Sequence, residues 1–268
     1  MKQRTFMSPD PIRSVVTTPE LTACGISDPG KLRARNEDSI YLEPQGRFFV
    51  LADGMGGHER GAEASSTVVK MLSERLAPER VAKEMGEATI AVGVPPELAG
   101  LYCLVEQAVD KANAEVYSRN LKAKLQKYMG TTVVGLCLFR PEWLLWFHVG
   151  DSRLYRFRDK KLSCLTVDHS MHALWIINGK KGPEPMKQAI TRAIGPHEDI
   201  LPEINWDKRV PGDLYLLCSD GLSDMVSDPA MEEIFRAGSP VEGIAAALVD
   251  EAKRAGGRDN ISVILLRV

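Results

Sequence analysis

Apolar residues recur along the chain with two different spacings, and the spacing predicts the type of each element. Short β-branched or apolar runs predict strands, whereas apolar positions three and four residues apart predict helices. The predicted strands cover residues 21–27, 39–42, 47–51, 132–139, 144–149, 154–157, 162–165, 214–218 and 261–266. The predicted helices cover residues 64–76, 98–116, 229–237 and 241–254.

The order of the elements favours one fold class. Strands come first, followed by two helices, more strands, two further helices and a final strand. A parallel sheet would need strands and helices to alternate. The order instead predicts an α+β fold, in which antiparallel sheets are covered by helices.

Three segments interrupt the pattern. Residues 1–20 are polar and contain three prolines, which is typical of a loose N-terminal arm or an edge segment. Residues 77–97 are rich in glycine and proline and predict a surface insertion. Residues 168–189 are irregular and polar, as a flap or lid would be. The ordered part, residues 21–268, is predicted to form a single domain.

Composition narrows the function classes. The chain has 268 residues, of which 44% are hydrophobic, enough for a full core. Its 34 basic and 36 acidic residues leave a net charge of −2, which argues against nucleic acid or an anionic membrane as a partner. The five cysteines include no CxxC pair and predict buried thiols. No apolar run spans a bilayer and residues 1–11 form no secretory signal, so we expect a cytoplasmic protein.

Acidic residues stand at the ends of several predicted strands. Asp53 and Asp220 each follow a strand, and the Glu37–Asp38 pair precedes one. Asp151 lies between two strands and Asp259 lies just before the last. Strand ends that share sheets can converge, and converging carboxylates repel one another unless a cation neutralises them. Oxygen ligands alone favour Mg²⁺ or Mn²⁺.

A single Asp-Gly pair has a plainer interpretation, which is a turn. We assign residues 28–30, Asp-Pro-Gly, to such a turn. The combination of four strand-end aspartates with the Glu37–Asp38 pair favours a metal site instead. His169 and His172, three residues apart, are interpreted as a strand-end hydrogen-bonding residue and an exposed side chain rather than a metal pair.

Eight short motifs carry a family resemblance. They are 33–39 (RARNEDS), 53–58 (DGMGGH), 130–132 (GTT), 149–155 (VGDSRLY), 166–170 (TVDHS), 190–195 (ITRAIG), 218–222 (CSDGL) and 257–262 (GRDNIS). In kind and order they resemble the signatures of the metal-dependent type 2C protein serine/threonine phosphatases, in their bacterial form. The resemblance covers residues 21–268.

The resemblance implies both a fold and an activity. The fold is a layered α-β-β-α sandwich, with two central antiparallel sheets flanked by helices and a flap beside the cleft. The activity is hydrolysis of phosphoserine and phosphothreonine on proteins, by attack of a water that bridges two Mn²⁺ or Mg²⁺ ions. The implied partners are phosphoproteins and an opposing serine/threonine kinase, and we expect a monomer.

The resemblance also implies a set of metal ligands. Asp53 would bridge the two ions, and the carbonyl of Gly54 would bind one of them. Asp220 and Asp259 would hold the second ion. Asp151 would belong to a third, weaker site, shared with Asp220. Glu37 and Asp38 would act through metal-bound waters.

Two further residues are candidates for binding the phosphate and protonating the leaving group. Arg33 would bind the substrate phosphate, because a guanidinium can bind two phosphate oxygens at once. Its neighbour Arg35 is interpreted either as a surface charge or as a charge that supports the residues of the site without touching the phosphate. Eukaryotic relatives carry a histidine where this chain has Met55. His58 is therefore a candidate general acid, with a loop-shaping role or a metal-bound water as the alternatives.

Two choices stay open from the sequence. Trp175 and the Lys180–Lys181 pair of the flap could contact a phosphoprotein, or the apolar residues beside them could simply pack on the domain. The chain could also be a pseudophosphatase that binds phosphoproteins without hydrolysing them. Loss of a metal aspartate would indicate that alternative, but Asp53, Asp220 and Asp259 are all present.

Overall fold

Two antiparallel sheets form the centre of the protein. The computed structural model describes residues 11–55, 60–84, 91–124 and 127–268. The first sheet contains, in spatial order, β1 (Ile12–Thr17), β2 (Thr22–Asp28), β12 (Ile261–Arg267), β11 (Leu214–Cys218), β8 (Arg153–Arg158) and β9 (Lys161–Cys164). The second contains β10 (Glu203–Lys208), β7 (Trp143–Val149), β6 (Val133–Phe139), β4 (Phe48–Met55) and β3 (Asp38–Leu42), and the short β5 (Gly130–Thr131) pairs with β4.

Helices cover the outer face of each sheet. The described helices are α1 (Arg60–Arg75), α2 (Pro78–Glu84), α3 (Pro96–Lys122), α4 (Met171–Ile177), α5 (Asp220–Ser223), α6 (Asp228–Arg236) and α7 (Val241–Arg254). One apolar cluster joins α1 and α3 to the second sheet, and another joins α6 and α7 to the first. A third lies between the sheets. The predicted α-β-β-α sandwich is confirmed.

The alternation of side chains along the central strands builds these layers. On β4, Phe48 and Val50 face the helices, whereas Phe49 and Leu51 face the other sheet. Successive side chains of a strand point to opposite faces, so a strand buried on both faces must be apolar throughout. The continuous apolar run before Asp53 is therefore the sequence of a central strand, and it carries that aspartate to the strand's end.

The structure adds elements that the hydrophobic pattern did not predict. β1 pairs with β2 along its whole length, so the first sheet begins before residue 21, the predicted start of the domain. The predicted insertion at 77–97 contains α2, and the predicted flap contains α4. Each helix has seven residues, about two turns, and buries none of them, so neither is long enough to show the spacing of a buried helix face. β10 is an edge strand of mixed polarity. Residues 1–10 and 85–90 lie outside the described part of the chain.

The long helix α3 also fixes a loop near the strand ends. Its buried Asn120 donates to the carbonyls of Met129 and Gly195, at 2.8 and 3.0 Å. Asn113, about two turns earlier on the same face of the helix, accepts from the N–H of Gly195 at 2.8 Å. These bonds tie Met129 and Gly195 to the helix layer.

Across the described ranges, no helix combines the length and the apolar character needed to cross a bilayer.

Candidate metal centre

The first sheet brings three of the predicted aspartates to one end. β11 runs antiparallel to both β8 and β12, and Cys218 at its end pairs with Arg153 on one side and Val263 on the other. The end of β11 therefore lies beside the starts of β8 and β12. Asp220 follows β11, and the other two aspartates, Asp151 and Asp259, each come two residues before their strand.

The second sheet adds two more acidic residues at the same end of the molecule. Asp38, the first residue of β3, lies directly opposite Asp53 in the register of β4. Like charges opposed in this way destabilise a sheet. The charges of both sheets meet here, because Asp53 is repelled by Asp220 and Asp259 as well as by Asp38. The five aspartates predicted from the sequence therefore lie in one cluster.

Burial and mutual repulsion make this cluster hard to ionise. Burial, and after it the charges of the neighbouring aspartates, raise the pKa of Asp53 well above its ordinary value. Burial and the charges of Asp151 and Asp259 raise the pKa of Asp220 to about 8. Burial and the nearby Asp168 raise the pKa of Asp151 to about 6. A bound cation would oppose these effects and favour the ionised form of the carboxylates.

Asp38 gives a more direct sign that a ligand belongs here. Burial raises its pKa to about 6, although the nearby hydroxyls of Ser219 and Ser262 oppose the rise. Those hydroxyls bond elsewhere, to Asn260 and Ser27, and no described donor completes a hydrogen bond to either carboxylate oxygen of Asp38. Buried polar atoms are normally satisfied, so these two oxygens fit a bound cation or its waters.

The backbone segments around Gly54 are packed closely, and its carbonyl oxygen is a candidate metal ligand. A Cβ on Gly54 would lie 2.2 Å from the carbonyl oxygen of Gly61 and 2.6 Å from that of Glu37. A Cβ on Gly61 would lie 2.8 Å from both the Gly54 carbonyl oxygen and Glu37 Oε1. Glycine at position 61 therefore leaves room for the Gly54 carbonyl oxygen and Glu37 Oε1 to lie near each other. Together with the aspartates this donor set is all oxygen, which fits Mg²⁺ or Mn²⁺.

Residues without charge hold the acidic ones in place. The N–H of Thr132 and the hydroxyl of Thr131 both donate to the carbonyl of Asp53 at 2.8 Å, and the Asp53 N–H donates to Thr132 Oγ1 at 3.1 Å. Asn260 accepts from the N–H of Glu37 at 2.8 Å and donates to the carbonyl of Arg35 at 2.8 Å. Thr131, Thr132 and Asn260 all lie in the eight motifs, but nothing in the sequence alone indicated these contacts.

Arg33 lies at the edge of the cluster. Its Nη2 donates to Asp259 Oδ2 at 2.7 Å, and half of its side chain, 51%, is exposed. The contact puts a half-exposed guanidinium beside a predicted metal ligand, a pairing that the sequence did not predict. His58 lies outside the described residues, and its role as general acid stays a prediction.

The flap covers a cavity next to the aspartates. The cavity has a volume of about 350 Å³, and its lining includes Asp151 and Asp220 together with Ile176 and Lys187 of the flap. Trp175 donates from Nε1 to the carbonyl of Gly182 at 3.1 Å, so its ring is used to order the flap. A contact between Trp175 and a phosphoprotein stays a prediction.

With no metal bound, we expect the stability of the fold to decrease as the pH rises. The four aspartates with raised pKa values, Asp38, Asp53, Asp151 and Asp220, bind protons more tightly in the folded state than in the unfolded one, where the pKa is about 3.9. Their contribution is fully present below the unfolded value. It is lost as the pH passes the folded values of about 6 and about 8.

Urea unfolding of chelator-treated protein between about pH 5 and about pH 8 checks this expectation. Asp220→Asn should flatten the decline, because it removes one of the groups that must ionise. Asp250→Asn, an exposed residue of α7, is the matched control and should leave the slope unchanged. A wild-type slope no steeper than that of Asp220→Asn would contradict the expectation.

Comparisons with known proteins agree with this site. A family model described as protein phosphatase 2C matches residues 33–250. The serine/threonine protein phosphatase PstP of Mycobacterium tuberculosis is 34% identical over 258 residues, which cover 90% of this chain and 44% of PstP. This chain thus spans less than half the length of that relative. Protein phosphatase PhpP of Streptococcus pneumoniae is 30% identical, over 90% of this chain and 95% of PhpP.

Solved structures give the same result. The crystal structure of Mycobacterium tuberculosis PstP matches with a TM-score of 0.77 and 34% identity, over 92% of this chain and 98% of the solved one. The PstP catalytic domain in complex with two manganese ions matches with a TM-score of 0.75 and 34% identity, over 95% of this chain and 99% of the solved one. The match over most of the chain confirms the family that the motifs predicted. The chain belongs to the protein phosphatase 2C family.

Proposed function

We propose that the protein is a metal-dependent phosphoprotein phosphatase that hydrolyses phosphoserine and phosphothreonine. The observation that carries the proposal is the cluster of five buried or half-buried aspartates at the shared end of two sheets, in a chain of this family. Relatives named as serine/threonine protein phosphatases support the substrate class. The pseudophosphatase alternative has less support, because the aspartates needed for metal binding are present and lie together.

The residues proposed to hold the metals are those that the cluster brings together. Asp53 would bridge two ions, with the Gly54 carbonyl on one and with Asp220 and Asp259 on the other. Asp151 would hold a third. Bound there, the cations would neutralise the carboxylates and lower the pKa of a water between them.

The remaining residues would hold and position the acidic ones. Glu37 and Asp38 would orient waters through their carboxylate oxygens. Thr131 and Thr132 bond both the backbone N–H and the backbone carbonyl of Asp53, which would help its carboxylate keep one direction. A ligand held in this way needs no reorganisation when substrate binds.

Arg33 is the proposed phosphate-binding residue. Its guanidinium offers donors that match two phosphate oxygens, and its bond to Asp259 keeps it at the edge of the cluster. The leaving serine or threonine oxygen must gain a proton, for which His58 is the proposed candidate. The flap would close over the side of the cleft that leads to Asp151.

The wider setting is inferred from the reaction. A phosphoprotein phosphatase needs a serine/threonine kinase to supply its substrate, so we propose such a kinase as its opposing enzyme. The five cysteines are free thiols, which suits the reducing cytoplasm. The near balance of charge supports a protein partner rather than nucleic acid or a membrane surface. We propose a cytoplasmic monomer.

Hydrolysis assays with Asp220→Ala test the metal requirement. Substitution of a residue that merely orients a metal ligand lowers metal affinity or activity by about 10–100-fold. Loss of a ligand itself should therefore lower kcat by at least about 100-fold. An aryl phosphate and a phosphothreonine peptide would be assayed with Mn²⁺, with Mg²⁺ and with EDTA. Asp250→Ala is the control for loss of an exposed carboxylate. Turnover that survives EDTA would overturn the metal mechanism, and binding of the phosphopeptide without turnover would favour the pseudophosphatase.

Substitution of Arg33 tests the phosphate contact. Arg33→Ala should lower kcat/KM by about 10–100-fold, because charge-assisted bonds to the phosphate are lost in the transition state as well as in the ground state. Arg33→Lys should retain only part of the wild-type kcat/KM, because an ammonium binds the phosphate as a point charge. Arg35→Ala, two residues away, is the matched control. Equal losses for Arg33→Ala and Arg35→Ala would rule out a specific role for Arg33.

A further inference from the structure

His169 contacts the turn that precedes Asp151. Its backbone N–H donates to the Gly150 carbonyl at 2.9 Å, and the Gly150 N–H donates to His169 Nδ1 at 3.2 Å. Gly150 has a φ of +109°, and a Cβ there would lie 2.7 Å from Thr132. The turn is therefore sharp and closely packed, and both the carbonyl and the N–H of Gly150 bond to His169. Asp151 is the next residue after Gly150.

The same histidine lies where the two ends of the flap meet. The Thr191 N–H donates to the His169 carbonyl at 2.7 Å, and the Met171 N–H donates to the Ala189 carbonyl at 2.8 Å. Ser170 and Ile190 form an isolated antiparallel bridge between these contacts. We call residues 169–171 and 189–191 the flap neck. Movement of the neck would displace His169, and with it Gly150.

Packing around the ring keeps it in one orientation. The ring of His148 stacks on it at 4.5 Å with 19° between the planes, and His148 Nε2 donates to the Val167 carbonyl at 2.9 Å. Arg192 Nη1 and Glu203 Oε2 lie 3.3 and 3.6 Å from His169 Nε2. Burial, with the charges of His148 and Arg192, lowers the pKa of His169 to about 4. The neutral ring keeps Nδ1 free to accept from Gly150.

A metal site is the obvious alternative for this cluster. One potential ligand atom from each of His148, His169 and Glu203 lies within 4.8 Å of the others. The lone pairs of imidazole nitrogens lie in the ring planes, however, and two nearly parallel rings do not direct them to one point. His169 Nδ1 is already bonded, and the Arg192 guanidinium would repel a cation at Nε2. The geometry fits a packing contact between the flap neck and the turn at Gly150 better than it fits a metal site.

We propose that His169 is a positioning residue that sets the flap neck and the direction of Asp151 together. The proposal rests on the proposed function in one respect, namely that Asp151 binds a metal ion. The cavity between the flap and the aspartates gives the coupling a consequence, because its walls include both Asp151 and the flap residues Ile176 and Lys187. A shift of the neck would change the metal site and the substrate cleft at the same time.

Two substitutions separate the hydrogen bond from the packing. His169→Phe keeps a ring that can stack on His148 but has no acceptor for the Gly150 N–H. His169→Asn loses the ring but offers Oδ1 as an acceptor. His197→Ala, an exposed histidine, is the control, and Asp151→Ala reports the loss of the carboxylate itself.

The first readout is trypsin cleavage of the flap in chelator-treated protein, at Lys180, Lys181 and Lys187, followed by mass spectrometry. Cleavage requires local opening of the flap. Loss of a net hydrogen bond at the neck should raise the cleavage rate about five- to tenfold in His169→Phe. His169→Asn and His197→Ala should stay within about threefold of wild type. This readout does not depend on metal or on activity.

The second readout is Mn²⁺ binding, followed by the EPR signal of free Mn²⁺. His169→Phe should weaken the weakest site by about 10–100-fold, as loss of a group that orients a ligand does, and His169→Asn should restore most of it. Wild-type cleavage and wild-type Mn²⁺ binding in His169→Phe would overturn the proposal, and so would a His169→Asn variant that behaves like His169→Phe. Mn²⁺ binding unchanged in Asp151→Ala would instead overturn the assignment of Asp151 as a ligand, while the cleavage assay would still decide the role of His169.

Discussion

Repulsion among buried carboxylates is the constraint on which the rest of the structure depends. The register of β3 and β4 sets Asp38 directly opposite Asp53, and the ends of three strands in the other sheet add Asp151, Asp220 and Asp259. The fold must hold these groups together against their charges. Apolar clusters above, between and below the sheets supply the favourable free energy, and short polar contacts to the backbone fix the geometry.

The burial of the strands that carry these aspartates explains why the functional residues could be found in the sequence. A strand buried on both faces is apolar throughout, so the aspartate that ends β4 stands out against the run before it. The same holds for Asp220 after β11. Two elements were not predicted. α4 has only seven residues and buries none of them, so it lacks the contrast of a central strand. β10 is an edge strand in which polar residues alternate with Ile204 and Trp206, so the period of a strand was present there and was missed.

Contacts between segments far apart in the chain could not be predicted from the sequence, because no local pattern indicates which segments will meet. The bond between Arg33 and Asp259 joins residues that are far apart in the chain, and nothing near Arg33 indicates it. The stacking of His148 on His169 depends on how β7 lies against the start of the flap. The sequence did predict that His169 makes a hydrogen bond at a strand end, but not that its partner is the turn before Asp151.

The central claim is that the aspartate cluster is a binding site for divalent cations, and anomalous diffraction at the manganese edge tests it most directly. Crystals grown with Mn²⁺ should show two strong peaks in contact with the carboxylate of Asp53, with Asp220 and Asp259 on one of them. A weaker peak should lie beside Asp151. Peaks at other places, such as the stacked His148 and His169, with none at Asp53, would contradict the account.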